Sequence, residues 1–375
     1  MKKVIIIGAG FAGLSALSRL HKYNKRAELE ITLINDKPEF SFLPMLPDCL
    51  GRNIKPEHLV FQLEALRRKK KFNFVKDRVV AVDLLKREVT TSTLTLNYDF
   101  LVISSGSETN FYANSQIRER AFKLDDARDA VIIRQALERN NYDSYLIAGG
   151  GYTGIEVATN LRVYLQSRKI NKNIIIIERA PSILGPLPQW MKDYTTDNLR
   201  RLNIEVLLNT NIEEITGGKI GLSNAKVFEN SMLIWAVGVR AADFIQGLKV
   251  EKNPQGRIKT DEYLRVNDSC FAAGDAAYFS HKNIFLRMAV QFAIMEGDCA
   301  AGNIIKSIEG KRLVKYSPID FGYIVPMANN RACGVILGIN MKGYLALFFH
   351  YFMCVYRSYG FKNRLAIIKD LIKGG

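Results

Sequence analysis

The chain is 375 residues long, 48% hydrophobic and 24% charged, the balance of an ordered globular protein with room for two to three domains at about 150 residues each. Lys and Arg outnumber Asp and Glu by 53 to 37, a net +16, which points to an anionic partner or surface. Five scattered cysteines, with no C-x-x-C and no metal-type spacing to the four histidines, argue against a disulfide framework and a metal site and fit a reducing compartment.

The first residues, Met1-Lys2-Lys3 and then Val4 to Ile7, have the outline of a signal peptide. The apolar run breaks at Gly8, so it predicts a strand entering a glycine turn instead. Leu14, Leu17, Leu20 and Tyr23 follow at helical spacing, and Ile31 to Ile34 form a second β-branched run. Strand, Gly8-Ala9-Gly10-Phe11-Ala12-Gly13, helix and strand within about 30 residues is the setting of a dinucleotide-binding turn. There the first glycine allows the tight turn, the second admits a pyrophosphate to the backbone, and the third lets helix and strand pack. The helix N-terminus offers its free N–H groups to the phosphates.

The pattern recurs. Tyr145 to Ala148 predict a strand, Gly149-Gly150-Gly151-Tyr152-Thr153-Gly154 a second fingerprint, and Ile155 to Leu165 a helix. Asn173 to Ile177 predict the next strand, which ends at Glu178, 24 residues past Gly154. A carboxylate there can accept from both ribose hydroxyls and repels a 2′-phosphate, so NADH is expected over NADPH, with Arg179 next door pulling the other way. Two such units imply two dinucleotides, one held and one exchanged.

The two fingerprints, the Tyr98-Asp99-Phe100-Leu101-Val102-Ile103-Ser104-Ser105-Gly106-Ser107 segment and Phe271-Ala272-Ala273-Gly274-Asp275 resemble the set found in two-dinucleotide-domain flavoprotein reductases. Phe40 to Pro47, Leu233-Ile234-Trp235-Ala236-Val237-Gly238-Val239-Arg240 and Val290-Gln291-Phe292-Ala293-Ile294-Met295-Glu296-Gly297 resemble, within that superfamily, the type II NADH:quinone oxidoreductases. The resemblance implies non-covalent FAD on the first fingerprint, NADH on the second, and Asp275 at the ribityl–pyrophosphate region. It also implies Glu156 near the nicotinamide and flavin, and a helix starting near Val290 and Gln291 aimed at the negative charge of reduced flavin. A first-turn acid complementing the helix dipole is the plainer alternative for Glu156. Three positions depart from the family: Asn35 stands where an acid usually meets the FAD ribose, with Asp36 one residue on, and Val290 and Met295 replace an Ala and a Gln of the quinone-pocket motif.

Cys49 lies where disulfide reductases carry a redox cysteine but has no partner, so a buried structural thiol is expected, with a single-cysteine peroxidase or CoA-disulfide reductase as the alternative. The run Arg67 to Lys71 reads as a solvated loop or helix end. No helix-turn-helix, RNA-binding aromatic pair or zinc motif accompanies the charge, so nucleic acid is not an expected partner.

Residues 301–375 hold eleven Lys or Arg against three acids, half of the chain's positive excess. Tyr344 to Tyr356 is greasy almost all round but far short of the roughly 20 residues a membrane span needs. After Gly360, Phe361, Leu365, Ile368 and Ile372 share one helical stripe, with Lys362, Lys369 and Lys373 on another. Basic amphipathic helices of this kind lie in the interface of anionic bilayers; packing on the body, or on a second copy in a homodimer, is the alternative.

The expected plan is an α/β chain of two Rossmann-like domains, the second inserted in the first. The FAD domain would take residues 1–110 and 256–320, the NADH domain 111–255, and a membrane-associating helical segment 321–375. The expected activity is NADH oxidation through FAD with electrons passed to a membrane quinone, without metal or proton pumping, on the cytoplasmic side of the cell membrane. A soluble FAD-dependent NADH reductase acting on a protein, a disulfide or oxygen is the alternative enzyme, and a signalling flavoprotein the non-enzymatic one.

Overall fold

The computed structural model describes residues 1–25, 28–139, 141–281 and 284–374. The chain forms two compact units. One gathers Met1–Phe40, Gln62–Glu108 and Val239–Asp320, the other Ser41–Phe61, Thr109–Gly238 and Phe321–Gly375.

The first unit is built on a six-stranded sheet in the order Arg265–Asn267, Cys270–Ala272, Phe100–Ile103, Lys2–Ile7, Leu29–Asn35, Asn73–Lys76. Every neighbouring pair is parallel except the first. Lys2–Ile7 is central, and Val4 to Ile7 are all buried, as expected of a parallel strand covered on both faces. The strand order reverses on either side of it, which makes its carboxyl end the crevice where ligands bind in such sheets. Helix Phe11–Tyr23 buries Leu14, Leu17 and Leu20, the predicted face. It packs against helix Val290–Ile308 so closely that a Cβ on Gly297 would lie 2.1 Å from the Ala12 carbonyl oxygen. Ala241, Phe244, Ile245 and Leu248 are buried with Ile5, Ile7 and Leu101, so the residues just after Gly238 belong to this core.

The second unit has a parallel sheet in the order Ile204–Leu207, Asn173–Ile177, Ser144–Ala148, Ser231–Trp235. Helix Tyr152–Ser167 is buried on most of its surface. An antiparallel sheet of Gly322–Met327, Arg331–Ile336 and Ile339–Lys342 follows later in the chain, and Val325, Met327 and Cys333 join Leu50, Ile155 and Leu161 in one core. Thus Ser41–Phe61 and the chain beyond Phe321 complete this unit.

The last two helices, Tyr344–Arg357 and Phe361–Gly374, are two-faced. Ala346, Leu347, Tyr351, Cys354 and Ile367 are buried, while Leu345, Phe348, Phe352, Tyr356, Phe361, Leu365, Ile368 and Ile372 are exposed. The first of these helices is therefore amphipathic in its setting, because one side of its apolar surface closes the core of the second unit. Among the described residues no helix is long and apolar enough to cross a membrane.

Candidate active site

In the first unit, Gly8 adopts φ +96° with its α-carbon against Ser104, where a Cβ would meet the carbonyl oxygen at 2.3 Å. A Cβ on Gly13 would sit 1.9 Å from the Gly8 carbonyl oxygen, whereas one on Gly10 would meet nothing within 4 Å. Gly10 caps the helix without a side-chain hydrogen bond, and its first turn, with Phe11 and Ala12, holds no acid. The turn therefore brings neither a capping side chain nor an acid to the helix N-terminus, which suits a pyrophosphate. Beside the turn, Ser105 has a buried hydroxyl with no hydrogen-bond partner among the described residues, and Gly106 is in the left-handed region at φ +71°. An orphaned hydroxyl and an open backbone cradle fit a polar cofactor here.

Asn35 spends both ends of its amide on the protein: Oδ1 accepts from the Ala9 N–H at 2.9 Å and Nδ2 donates to the Lys37 carbonyl at 2.9 Å. Asp36 is exposed beside it. Across the crevice, Asp275 accepts from the Ser107 hydroxyl at 2.8 Å, and buried Arg257 donates to the Asp275 carbonyl at 3.0 Å. Burial, opposed by Ser107 and Arg257, pushes the Asp275 pKa up. Gly274, at φ +68°, lies against Ala12, and its N–H donates to the buried Glu296 carboxyl at 2.6 Å. Burial raises Glu296 to about 8, a rise that the Gly274 bond and Arg257 oppose. Nothing local marks Glu296 in the sequence, because its partner lies 22 residues away.

Helix Val290–Ile308 starts at Val290 after an uncapped Ala289, with no acid in its first turn, so its positive end is free to meet negative charge. Gln291 is buried and donates from Nε2 to Asp320 at 2.9 Å. The same carboxylate takes two bonds from Arg287 at 2.6 and 2.7 Å. Met295 packs with Phe279 and Tyr316, so an apolar side chain suits this position.

The second unit repeats the turn. Gly149 has φ +101° against the Ala236 carbonyl, a Cβ on Gly154 would sit 1.9 Å from the Gly149 carbonyl oxygen, and Gly151 faces open space. Tyr152 and Thr153 open the helix, again with no capping side chain and no first-turn acid. Glu178 accepts from the Gly150 N–H and the Ala180 N–H, both at 2.7 Å. Gly238, at φ +68°, lies under the Tyr112 hydroxyl.

Glu156 is the fifth residue of its helix, too far along to complement the dipole. It lines a narrow crevice with Pro47, Asp48, Asn160 and residues 326–328. Desolvation first, then the charge of Asp48, pushes its pKa well above the usual carboxylate range. Asp48 itself is raised to about 6 by burial, against the pull of Arg52, Tyr351 and Asn160. Asn160 is one helical turn beyond Glu156, whereas Asp48 and Tyr351 come from distant segments and carry no local signal that links them to it.

All five cysteines are free. Burial pushes the Cys49, Cys270, Cys333 and Cys354 thiols up, and Cys299 to about 12, so none is a ready thiolate. No cluster that could hold a metal occurs among the described residues.

The type II NADH:quinone oxidoreductase of Staphylococcus saprophyticus is 25% identical over 92% of this chain and 92% of its own. NDH2 from Plasmodium falciparum, solved in complex with NADH, shares the fold with a TM-score of 0.88 over 99% of this chain and 98% of its own, at 19% identity. The sulfide:quinone oxidoreductase of Aquifex aeolicus shares it at 0.81, covering 98% and 92%, with 20% identity. A family model for pyridine nucleotide-disulphide oxidoreductases matches residues 2–297, which include both fingerprints, Asp275 and Gln291. The chain belongs to the pyridine nucleotide-disulphide oxidoreductase family.

Proposed function

We propose that the protein is a single-chain NADH:quinone oxidoreductase of the type II kind, taking a hydride from NADH onto non-covalent FAD and passing the electrons to a membrane quinone without pumping protons. The observation that carries this reading is the pair of open, uncapped glycine turns in one chain, each ending a central parallel strand. Bound FAD supplies the two-electron chemistry. Gly10 and the N–H groups beyond it receive its pyrophosphate, and Ser105 and Asp275 meet its polar middle. The N-terminus at Val290 and Gln291 holds negative charge near its ring. In the second unit Gly151, Tyr152 and Thr153 receive the NADH pyrophosphate, and Glu178 discriminates against a 2′-phosphate while keeping Gly150 in place. Glu156 holds a proton at its carboxyl for the acceptor.

The exposed apolar row on the last two helices, flanked by exposed Lys362 and Lys369, suits a monotopic seat on an anionic bilayer at its cytoplasmic face. A homodimer would cover the same row. Steady-state NADH oxidation by purified protein, with ubiquinone and menaquinone analogues and with or without liposomes, tests the reading. Quinone-dependent turnover enhanced by liposomes supports it. Turnover with oxygen or a disulfide but with neither quinone overturns it, and the absence of any thiolate-ready cysteine already weighs against a disulfide acceptor.

A further inference from the structure

The overall reaction, NADH plus one proton plus quinone giving NAD+ and quinol, consumes a proton that NADH does not carry. Glu156 has a neighbourhood organised to hold one. Asp48 shares its crevice and accepts from the Tyr351 hydroxyl at 2.9 Å, a bond between residues 303 positions apart. Arg52 stands 3.8 Å from the same Asp48 oxygen and 5.3 Å above the Tyr351 ring. Asn160, 2% exposed, donates to the Glu156 carbonyl at 3.0 Å and bonds Asp48. Its Oδ1 is buried with no donor among the described residues. A buried acceptor lining a crevice with two carboxyls lacks only an O–H, and a protonated carboxyl supplies one.

We propose that Asp48 and Tyr351 are positioning residues for Glu156, so that the two carboxyls hold one shared proton that Glu156 delivers to the reduced acceptor. This rests on the quinone reading above and adds to it the residues that poise the proton. The proton leaves the Glu156 O–H for the quinone oxygen, and solvent returns one to the pair, so atoms and charge balance with no further reactant.

The physical reason is coupling. Two carboxyls in one desolvated crevice cannot both ionise cheaply, so their protons come off in two macroscopic steps that belong to the pair. Arg52 on the Asp48 helix and the Tyr351 hydroxyl favour the Asp48 anion, which in turn holds the proton on Glu156. His350, on the Tyr351 helix, is lowered to about 4 by burial and by Arg52 and stays neutral. Cys354 on that helix is raised, and Arg134, Glu57 and Asp370 act on the adjacent Cys49. None of these competes for the proton near neutral pH.

The test separates the two half-reactions of the FAD-loaded enzyme by stopped flow from pH 5 to 9: bleaching by NADH, then reoxidation by a water-soluble quinone. Removing the Asp48 charge lowers the Glu156 pKa, so Asp48→Asn should move the alkaline fall of reoxidation toward acid by about one unit. Tyr351→Phe raises the Asp48 pKa and should move it the same way by less, and Asp48→Glu should restore the wild-type profile. A uniform loss across the pH range, without a shift, would mark Asp48 as structural support and overturn the proposal. Thermal unfolding gives an independent readout. The raised Asp48 carboxyl makes the folded state bind more protons than the unfolded one between its ordinary pKa of 3.8 and about 6, so stability falls as pH rises through that window. Asp48→Asn should flatten the fall, and an unchanged slope also overturns the proposal. If the wild type bleaches with NADH but no quinone reoxidises it, the quinone reading fails and the relay with it. An unshifted profile in an enzyme that does reduce quinones sinks the relay alone.

Discussion

Gly8 and Gly149 take φ values of +96° and +101°, and Gly13 and Gly154 each bring a Cβ position to 1.9 Å from the first glycine's carbonyl oxygen. The caps match as closely: Gly10 at φ −77° and ψ −169°, Gly151 at −79° and −169°. What differs is the middle residue and the side chain that holds it. In the first turn neutral Asn35 bonds the Ala9 N–H; in the second, Glu178 bonds the Gly150 N–H. The Glu178 side chain folds back so far that a Cβ on Gly150 would lie 3.2 Å from its carboxyl oxygen and 2.9 Å from Ile183. The glycine turn is thus set by backbone geometry alone, while the residue inside it follows the size of the side chain at the end of the next strand. In the proposed reading that side chain would also set the charge that a ribose meets.

The sharpest way to break the symmetry is at its two open faces. Gly10→Val should leave a folded but colourless protein, with FAD affinity down by at least about 100-fold, because the new side chain clashes only with the pyrophosphate. Gly151→Val should stay yellow and lose bleaching by NADH instead. Flavin absorbance after purification, beside circular dichroism, reads both. A Gly10→Val protein that retains FAD would break the assignment of the first turn.

Next in size are the packed glycines. Gly13→Ala and Gly154→Ala should each destabilise by about 3 kcal/mol or more, since the methyl group meets backbone that cannot yield. Thermal unfolding should rank them as equals. A tolerated Gly154→Ala would show that the second turn is looser than the first.

A smaller effect sharpens the contrast between Asn35 and Glu178. Glu178→Gln removes the charge that repels a 2′-phosphate and should cut the preference for NADH over NADPH about tenfold, or about 1.4 kcal/mol, measured as bleaching rate against nucleotide concentration. Gly150→Ala should cost about 1–3 kcal/mol, and adding Glu178→Asn should recover most of it by imitating the Asn35 and Ala9 pairing. No recovery would mean that Ile183 alone excludes the methyl.

The smallest expected effect concerns Glu296. Its carboxyl is raised from 4.5 to about 8, so the folded state binds the extra proton between those values and stability falls as pH rises across them. Glu296→Gln should flatten part of that fall in thermal unfolding of the FAD-loaded protein from pH 5 to 8. An unchanged slope would mean that bound FAD has already reset this carboxyl.

Both turns were legible in the sequence because their signal is local: a β-branched run, glycines at fixed offsets and helical spacing within about 30 residues. The stripe Phe361, Leu365, Ile368 and Ile372 was legible for the same reason, and all four are exposed as expected. The carboxyl crevice was not. Asp48 sits in a Pro-Asp-Cys stretch without periodicity, and what makes it notable is a hydroxyl supplied 303 residues later. Nor did composition reveal that Tyr344–Arg357 has an inner face, since a helix apolar all round looks the same whether one side or both meet protein. Asn35 stands out in the sequence only as a departure from the family, and the bonds of its amide to Lys37 and Ala9 have no local signal.

The two-faced last helices carry a lesson for anyone wishing to handle this protein without detergent. Cutting them off would strip Ala346, Leu347, Tyr351 and Ile367 from the interior and remove Asp370, which takes hydrogen bonds from His58 and from the Lys55 backbone. The greasy outer row is paint on a wall that also bears weight. Replacing Phe348, Phe352, Phe361 and Leu365 with polar residues should yield a freely soluble form that keeps its interior, its colour and its reaction with NADH.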